Sequence, residues 1–432
     1  MQQSHRLTEL DSGVRVVTEH MDSVRSVALG FWIGAGSVGE TRDEAGLSHL
    51  VEHMLFRGTA RYASLEIDQI FDAMGAEINA GTGKETTSVY TRVIDDHLAE
   101  AFDVMADIVW RPRFAAEDLD NERQIVLEEL AMYDDDPQDK VFDVLGEAVF
   151  GEHPLGRPII GRPEVVAEVG AEGLLAFHHE RYVPRNVVIA AAGAIDHDEL
   201  VEMVARAQVE RAGSPVPEPP SPPDADAAIR RMFLVKPTEQ VHVCLGAPGI
   251  ARDDERRFAL RVLDNIFGGT SSSRLFQEVR EERGLAYSVY SFQSLYRDTG
   301  QIGLYLGTRP DNLDEALSVV GTELTRLRAE PATAAELARS KENLKGRIVL
   351  ALESTSSRMN RLGSSVLGGL PLLDLDEVVE RVDAVTLEDL EQLAVDLFAP
   401  ERLSAAGIGG DEAAFRTALA HVSPQLAEVA SR

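Results

Sequence analysis

The stretch RAGSPVPEPPSPPD, residues 211–224, packs six prolines into fourteen residues. Proline lacks an amide hydrogen and fixes its own φ, so such a run can be neither helix interior nor central strand and reads as a stiff extended linker. It lies almost at the midpoint of a 432-residue chain, a length that a single hydrophobic core seldom serves. The expected organisation is two domains, 1–213 and 227–432, joined by a Pro-rich linker at 214–226.

Two halves of similar length invite a search for an internal repeat, and one is visible in the pattern. The first half has a strand-like run, SVRSVALGFWIGAG, a helical stretch through His49–Met54, and strand-like AEINAGTGKETTSVYTRV. Helical regions follow at Leu98–Trp110 and Glu117–Met132. The second half repeats the order: EQVHVCLGAPG, helical DERRFALRVLDNIFGG, the strand pair AYSVYSFQSLY and GQIGLYLGT, then helical NLDEALSVVGTELTRLRAE and TAAELARSKENLKGRIVLALES. Alternation marks the strands and three-and-four spacing the helices. The expectation is an α+β fold of two homologous domains, each an antiparallel sheet with helices packed on one face.

Charge narrows the partners. The 73 acidic residues against 42 basic ones leave a net charge of −31, spread along the chain, which disfavours nucleic acid and favours cationic partners. The start has no basic stretch followed by an apolar one, and no segment approaches the ~18 uninterrupted apolar residues of a membrane span, so a cytoplasmic protein with no membrane partner is expected. The single cysteine, Cys244, sits in the apolar run VHVCLGAP and reads as a small core residue.

The chemistry concentrates in AGLSHLVEHMLFRGT, residues 45–59. On a helix, residues four apart share a face, so His49 and His53 can direct two imidazoles at one ion. A zinc ion with three protein ligands keeps its fourth position for water, whose pKa drops to ~7, and a neighbouring carboxylate can take the proton. Glu52 is the natural general base on that water. In isolation the motif also fits a solvated charged face, but Ala45, Leu47, Leu50, Val51, Met54, Leu55 and Phe56 hem the polar trio in with apolar side chains. A further ligand can come from DNERQIVLEELAMYDDDP: Glu122 and Glu129 lie two helical turns apart on one face, with Glu128 about 100° round from Glu129. One can ligate while the other orients a ligating histidine. Geometry alone leaves Glu122 and Glu129 tied. His97, His153, His178, His179, His197 and His242 have no acid at ligand spacing and read as surface or packing residues.

These residues resemble the inverted-motif (H-x-x-E-H) zinc peptidases that include pitrilysin, the insulin-degrading enzyme and the mitochondrial processing peptidase, and most of all the bacterial processing-peptidase-like members of two domains. The resemblance implies a zinc-dependent endopeptidase with one Zn2+ per chain. It implies Glu129 as third ligand, 76 residues beyond His53, and Glu122 as the auxiliary carboxylate. GAEINAGTGKETTSVY is similar to the strand on which family members bind substrate backbone, so that Asn79 and Ala80 would contact the peptide. SSSRLFQEVREERGLAYSVYS resembles the segment whose arginine and tyrosine, here Arg280 and Tyr287, act on the scissile carbonyl. It further implies a homodimer enclosing a chamber that admits small or extended peptides, and the net charge of −31 makes basic ones the expected substrates. The alternative is a non-catalytic partner subunit of a processing-peptidase-like assembly. Such relatives usually lack an intact H-x-x-E-H.

Overall fold

The computed structural model describes residues 5–207, 213–224, 228–330 and 332–429. The first half runs β1 (His5–Glu9), β2 (Arg15–His20), β3 (Ser26–Ile33), α1 (Leu47–Leu55), α2 (Ser64–Ala73), β4 (Ile78–Thr82) and β5 (Thr87–Ile94). It continues through α3 (Leu98–Trp110), α4 (Ala116–Asp135), α5 (Pro137–Phe150), α6 (Pro163–Glu168), α7 (Ala171–Arg181), β6 (Val187–Gly193) and α8 (His197–Arg206). The second half has β7 (Arg231–Val235), β8 (Val241–Gly249), α9 (Arg257–Phe267), β9 (Ala286–Leu295), β10 (Gly300–Thr308), α10 (Leu313–Ala329) and α11 (Ala334–Ala351). It ends with α12 (Thr355–Leu367), α13 (Leu375–Ala384), α14 (Leu387–Leu397), β11 (Ser404–Gly409), α15 (Glu412–Leu419) and α16 (Pro424–Glu428). Residues 214–224 carry no regular secondary structure, as the prolines require; residues 225–226 of the expected linker lie outside the described residues.

Two sheets result, ordered β1-β2-β6-β3-β5-β4 and β7-β11-β8-β10-β9. The repeat holds strand for strand, β1 being the one addition. The α+β, two-domain class stands, and two details of the architecture differ from expectation. Each sheet is mixed rather than wholly antiparallel, because β2–β6 and β7–β11 pair in parallel. Each sheet is also covered on both faces. In the first, Val27, Leu29, Phe31 and Ile33 of β3 and Val187, Ile189 and Ala191 of β6 join the core beneath α3 and α1. The alternate residues Ala28, Val188, Ala190 and Ala192 pack on Met359, Leu362 and Val366 of α12. A strand such as VVIAAAG, apolar at every position, needs cover on both sides.

That need also explains why the compact units are not the contiguous halves 1–213 and 227–432. One unit comprises 1–130, 158–220 and 348–374, the other 131–157, 221–347 and 375–432. Helix α12, from the second half, lies on the first sheet, and α5, from the first half, lies on β8 and β11 of the second. Glu19 on β2, only 2% exposed, is held by the guanidinium groups of Arg358 and Arg361 of α12, the latter at 2.8 Å. On the second sheet Phe142 of α5 stacks on Tyr305 at 5.7 Å between centroids and meets Phe292 edge-on at 5.2 Å. Two of the unit boundaries fall inside helices, α4 and α11.

Among the described residues, no helix is long and apolar enough to cross a membrane. Cys244 is fully buried in β8 as a core residue, and burial pushes its thiol up. Three of the remaining histidines are engaged in the fold: His178 pairs with the Val109 carbonyl, His197 with the Thr8 and Thr18 hydroxyls, and His242 with the Tyr305 phenol, each at 2.9 Å.

Candidate metal centre

Helix α1 forms because Leu47, Leu50, Val51, Met54 and Leu55 recur at three-and-four spacing, and all five are buried. Its first turn is anchored by Glu40, whose buried carboxylate accepts from the Gly46 amide at 2.9 Å and the Ser48 amide at 2.7 Å. An anion there satisfies orphan amides and complements the helix dipole. Gly46, at φ +104°, leaves no room for a side chain: a Cβ would stand 2.8 Å from the Ile160 carbonyl oxygen. Anchored in this way, α1 turns His49, Glu52 and His53 away from the core, all three half-buried.

Across from them, α4 presents Glu122 and Glu129. Nε2 of His53 lies 3.5 Å and Nε2 of His49 3.7 Å from Glu129 Oε2. Glu122, 1% exposed, instead meets the far side of the His53 ring, with Oε2 3.0 Å from Nδ1, while its Oε1 pairs with Arg57. A carboxylate on Nδ1 fixes the proton there and leaves the Nε2 lone pair directed at Glu129. Glu128 is exposed. The two acids tied on sequence geometry thus stand in different places, Glu129 before the imidazole tips and Glu122 behind one ring.

Electrostatics agree with a cation site. Burial, aided by the His53 charge, lowers His49 to about 4, so its imidazole is neutral at physiological pH. For His53, burial works downward but is outweighed by the hydrogen bond to Glu122 and the charges of Glu129, Glu122 and Glu52, and the net shift is upward. His49 Nδ1 is buried with no hydrogen-bond partner among the described residues. The ligand atoms of His49, His53 and Glu129 lie within 4.8 Å of one another. Tetrahedral zinc bonds of about 2.0–2.1 Å place ligand atoms about 3.3 Å apart, so two imidazoles and one carboxylate at these separations can hold zinc with small adjustments.

Glu52 stands beside this trio. Its Oε2 accepts from Thr82 Oγ1 at 2.5 Å. Burial raises its pKa, and the Thr82 hydrogen bonds and the His53 charge draw it partly back. Thr82 ends β4, which pairs only with β5 in its sheet and lies against α1. Asn79 on that strand is exposed and Ala80 half-buried.

Arg280 and Tyr287 lie in the other unit. Arg280, on a π-helical turn at Phe276–Glu281, donates through Nη1 to the Tyr287 carbonyl at 2.9 Å and stacks over the Tyr287 ring at 4.3 Å. Tyr287 is the second residue of β9, an edge strand of its sheet, and is 77% exposed. The two residues seven apart in sequence therefore form one contact. Glu40, Arg57 and Thr82 escaped the sequence reading because a lone acid, arginine or threonine near a motif has no spacing to betray it. Arg57, one turn beyond His53 on the acid-facing side, left the only trace.

Residues 15–163 match the description "Insulinase (Peptidase family M16)", and residues 168–344 match "Peptidase M16 inactive domain". An uncharacterized zinc protease of Streptomyces coelicolor is 42% identical over 91% of this chain and 87% of its own. A second, of Bacillus subtilis, is 41% identical over 90% and 94%. The fold matches a protease structure from Helicobacter pylori with a TM-score of 0.89 over 94% of this chain and 99% of that one, at 21% identity. A structure described as a peptidase M16 inactive domain from Pseudomonas fluorescens gives 0.87 over 94% and 98%, at 23% identity. With both halves matched and relatives above 40% identity along nearly its whole length, the chain belongs to peptidase family M16, the family of zinc proteases.

Proposed function

We propose that the protein is a zinc-dependent endopeptidase in which His49, His53 and Glu129 hold one zinc ion per chain, Glu122 orients His53 and Glu52 is the general base. The observation that carries this reading is the convergence of one ligand atom each from His49, His53 and Glu129 within 4.8 Å, with both imidazole Nε2 atoms 3.5–3.7 Å from Glu129 Oε2. When bound, zinc supplies a Lewis acid that lowers the pKa of water and polarises a carbonyl. Glu52 takes a proton from the attacking water as its oxygen bonds to the scissile carbon, then passes that proton to the amine nitrogen as the C–N bond breaks. Asn79 and Ala80 hold the substrate as a strand added to the open edge of β4, so that affinity comes from main chain and side-chain choice from pockets. Arg280 and Tyr287, supplied by the opposite chain of a homodimer, hydrogen-bond the carbonyl oxygen as negative charge grows on it; their mutual stacking limits their motion.

The chain works as a homodimer enclosing a chamber that admits extended peptides. The net charge of −31 supports basic ones, whose cleavage should slow as salt is raised. The name "inactive domain" attaches to residues 168–344, which lack H-x-x-E-H, while the first half keeps all four zinc-site residues; this favours a catalytic chain over a non-catalytic partner subunit. Replacing Glu52 by Gln should leave zinc bound and slow peptide cleavage by about 10²–10⁴-fold. A variant that cleaves as fast as the parent would sink the assignment.

A further inference from the structure

We infer that Thr82 is a positioning residue for peptide hydrolysis: its hydroxyl holds Glu52 Oε2 and so reserves Oε1 as the oxygen that takes the proton from water. The inference rests on the peptidase reading above. A glutamate on a helix face has three side-chain torsions to fix, and that freedom must be given up before its carboxylate can act at one place. Thr82 is suited to the task because a β-branched side chain in a strand is stiff at χ1. Its proton goes to Glu52. The competing acceptor, Thr87 Oγ1, is a neutral oxygen 3.3 Å away, against 2.5 Å to a carboxylate oxygen, and charged acceptors make the stronger bond. The Thr87 proton is itself used on the Ala35 carbonyl at 2.9 Å.

Placement gives the contact its purpose. Thr82 is two residues from Ala80 on the same strand, so the two side chains share the face of β4 that lies against α1. The residue that fixes the general base therefore belongs to the strand proposed to carry the substrate backbone. Base and scissile bond are aligned through one short rigid segment, not through two independently moving parts. A misplacement of about 1 Å at such a group costs about 10²-fold in rate.

The test compares Thr82→Val, which keeps the shape and removes the hydroxyl, with Thr82→Ser, which keeps the hydroxyl and removes a methyl. kcat and KM are measured on a cationic fluorogenic peptide, with zinc content by atomic absorption and Tm for each protein. Thr82→Val should retain one zinc per chain and a KM within about twofold of the parent, while kcat falls about 10–100-fold. Thr82→Ser should return kcat to within about threefold of the parent, because the hydroxyl is restored. Should Thr82→Val fail to fold, Thr82→Ala takes its place against the serine variant. An unchanged kcat in the valine variant overturns the inference; so does a serine variant as slow as the valine one, or loss of zinc from either. A parent protein that cleaves no peptide overturns the peptidase reading and this inference with it.

Discussion

Helices α1 and α9 occupy the same place in the two halves of the repeat, each following the strand at the centre of its sheet. Where α1 carries His49, Glu52 and His53, α9 carries Arg261, Asp264 and Asn265 at the same spacing. Both carboxylates accept from a hydroxyl on the edge strand: Thr82 to Glu52, and Ser291 to Asp264, each at 2.5 Å. What faces them differs. In the first unit one ligand atom each of His49, His53 and Glu129 lies within 4.8 Å of the others. In the second, Asn265 donates to Asn343 at 2.9 Å, and Asp264, raised by burial, is drawn back by Ser291, Gln293 and the charge of Arg347. The notch of helix against edge strand, with a tethered acid, is common to both. The second unit brings its positive charge covalently, as arginine, and the first leaves a place for a cation.

Exchanging that charge should break the comparison most strongly. Glu129→Arg gives α4 the character of α11, where Arg347 sits near Asp264. Zinc content, read by atomic absorption, should fall to near zero and cleavage by more than about 10³-fold, with Tm held because the side chain is half-exposed. Retained zinc would show that Glu129 is not a ligand.

The second contrast concerns how each sheet keeps its borrowed helix. The first holds α12 through a buried carboxylate between two guanidinium groups, the second holds α5 through aromatic rings. Removing one partner of a buried ion cluster strands the other charges, so Glu19→Ala should cost about 3–5 kcal/mol in denaturant titration. Phe142→Leu, which keeps most of the volume, should cost only about 1 kcal/mol. Equal losses would erase the distinction.

A smaller difference lies at the starts of α4 and α11. Arg113 pairs with Asp118 near the surface at 2.8 Å, whereas Arg274 and Glu336 meet at 2.9 Å with side chains 8% and 18% exposed. Burial alone would raise Glu336, but the Arg274 and Thr333 hydrogen bonds outweigh it and hold it at about 2 against an ordinary 4.5. A depressed carboxyl stabilises the fold above its unfolded value, so this contribution is whole above pH 4.5 and lost as pH falls towards 2. The full shift corresponds to about 3 kcal/mol, and solvent screening of this partly exposed pair lowers what is realised. Glu336→Gln should flatten the acid limb of a stability-against-pH curve over that window, and an unaltered limb would count against the pair.

How far the sequence alone reached follows from what each residue's neighbours reveal. Leu98–Trp110 forms the helix its periodicity announces, whereas the expectation of helices on one face of each sheet missed what the unbroken apolarity of Val187–Gly193 implies, cover on both faces. Which helix covers the second face was not legible: Met359 and Leu362, or Val141 and Leu145, look like any amphipathic stripe and do not name the sheet they will meet. Likewise His49 and His53 declared themselves by spacing, while the choice between Glu122 and Glu129 needed the resemblance, because helical geometry alone places both on one face. Thr82 acts through one hydrogen bond across 30 residues and Glu40 through two, across 6 and 8, and no periodicity records such contacts.

The exchange of α5 and α12 also sets a timetable at the ribosome. The apolar strip Val17, Ala28, Val188, Ala190 and Ala192 is cast when β6 emerges, yet its cover ends at Leu367. At about 5–20 residues per second the interval is roughly 10–30 s. Throughout it the first unit lacks a wall, so the nascent chain stays unfinished, and a translation product truncated before α12 has a greasy surface that quality-control factors can grip.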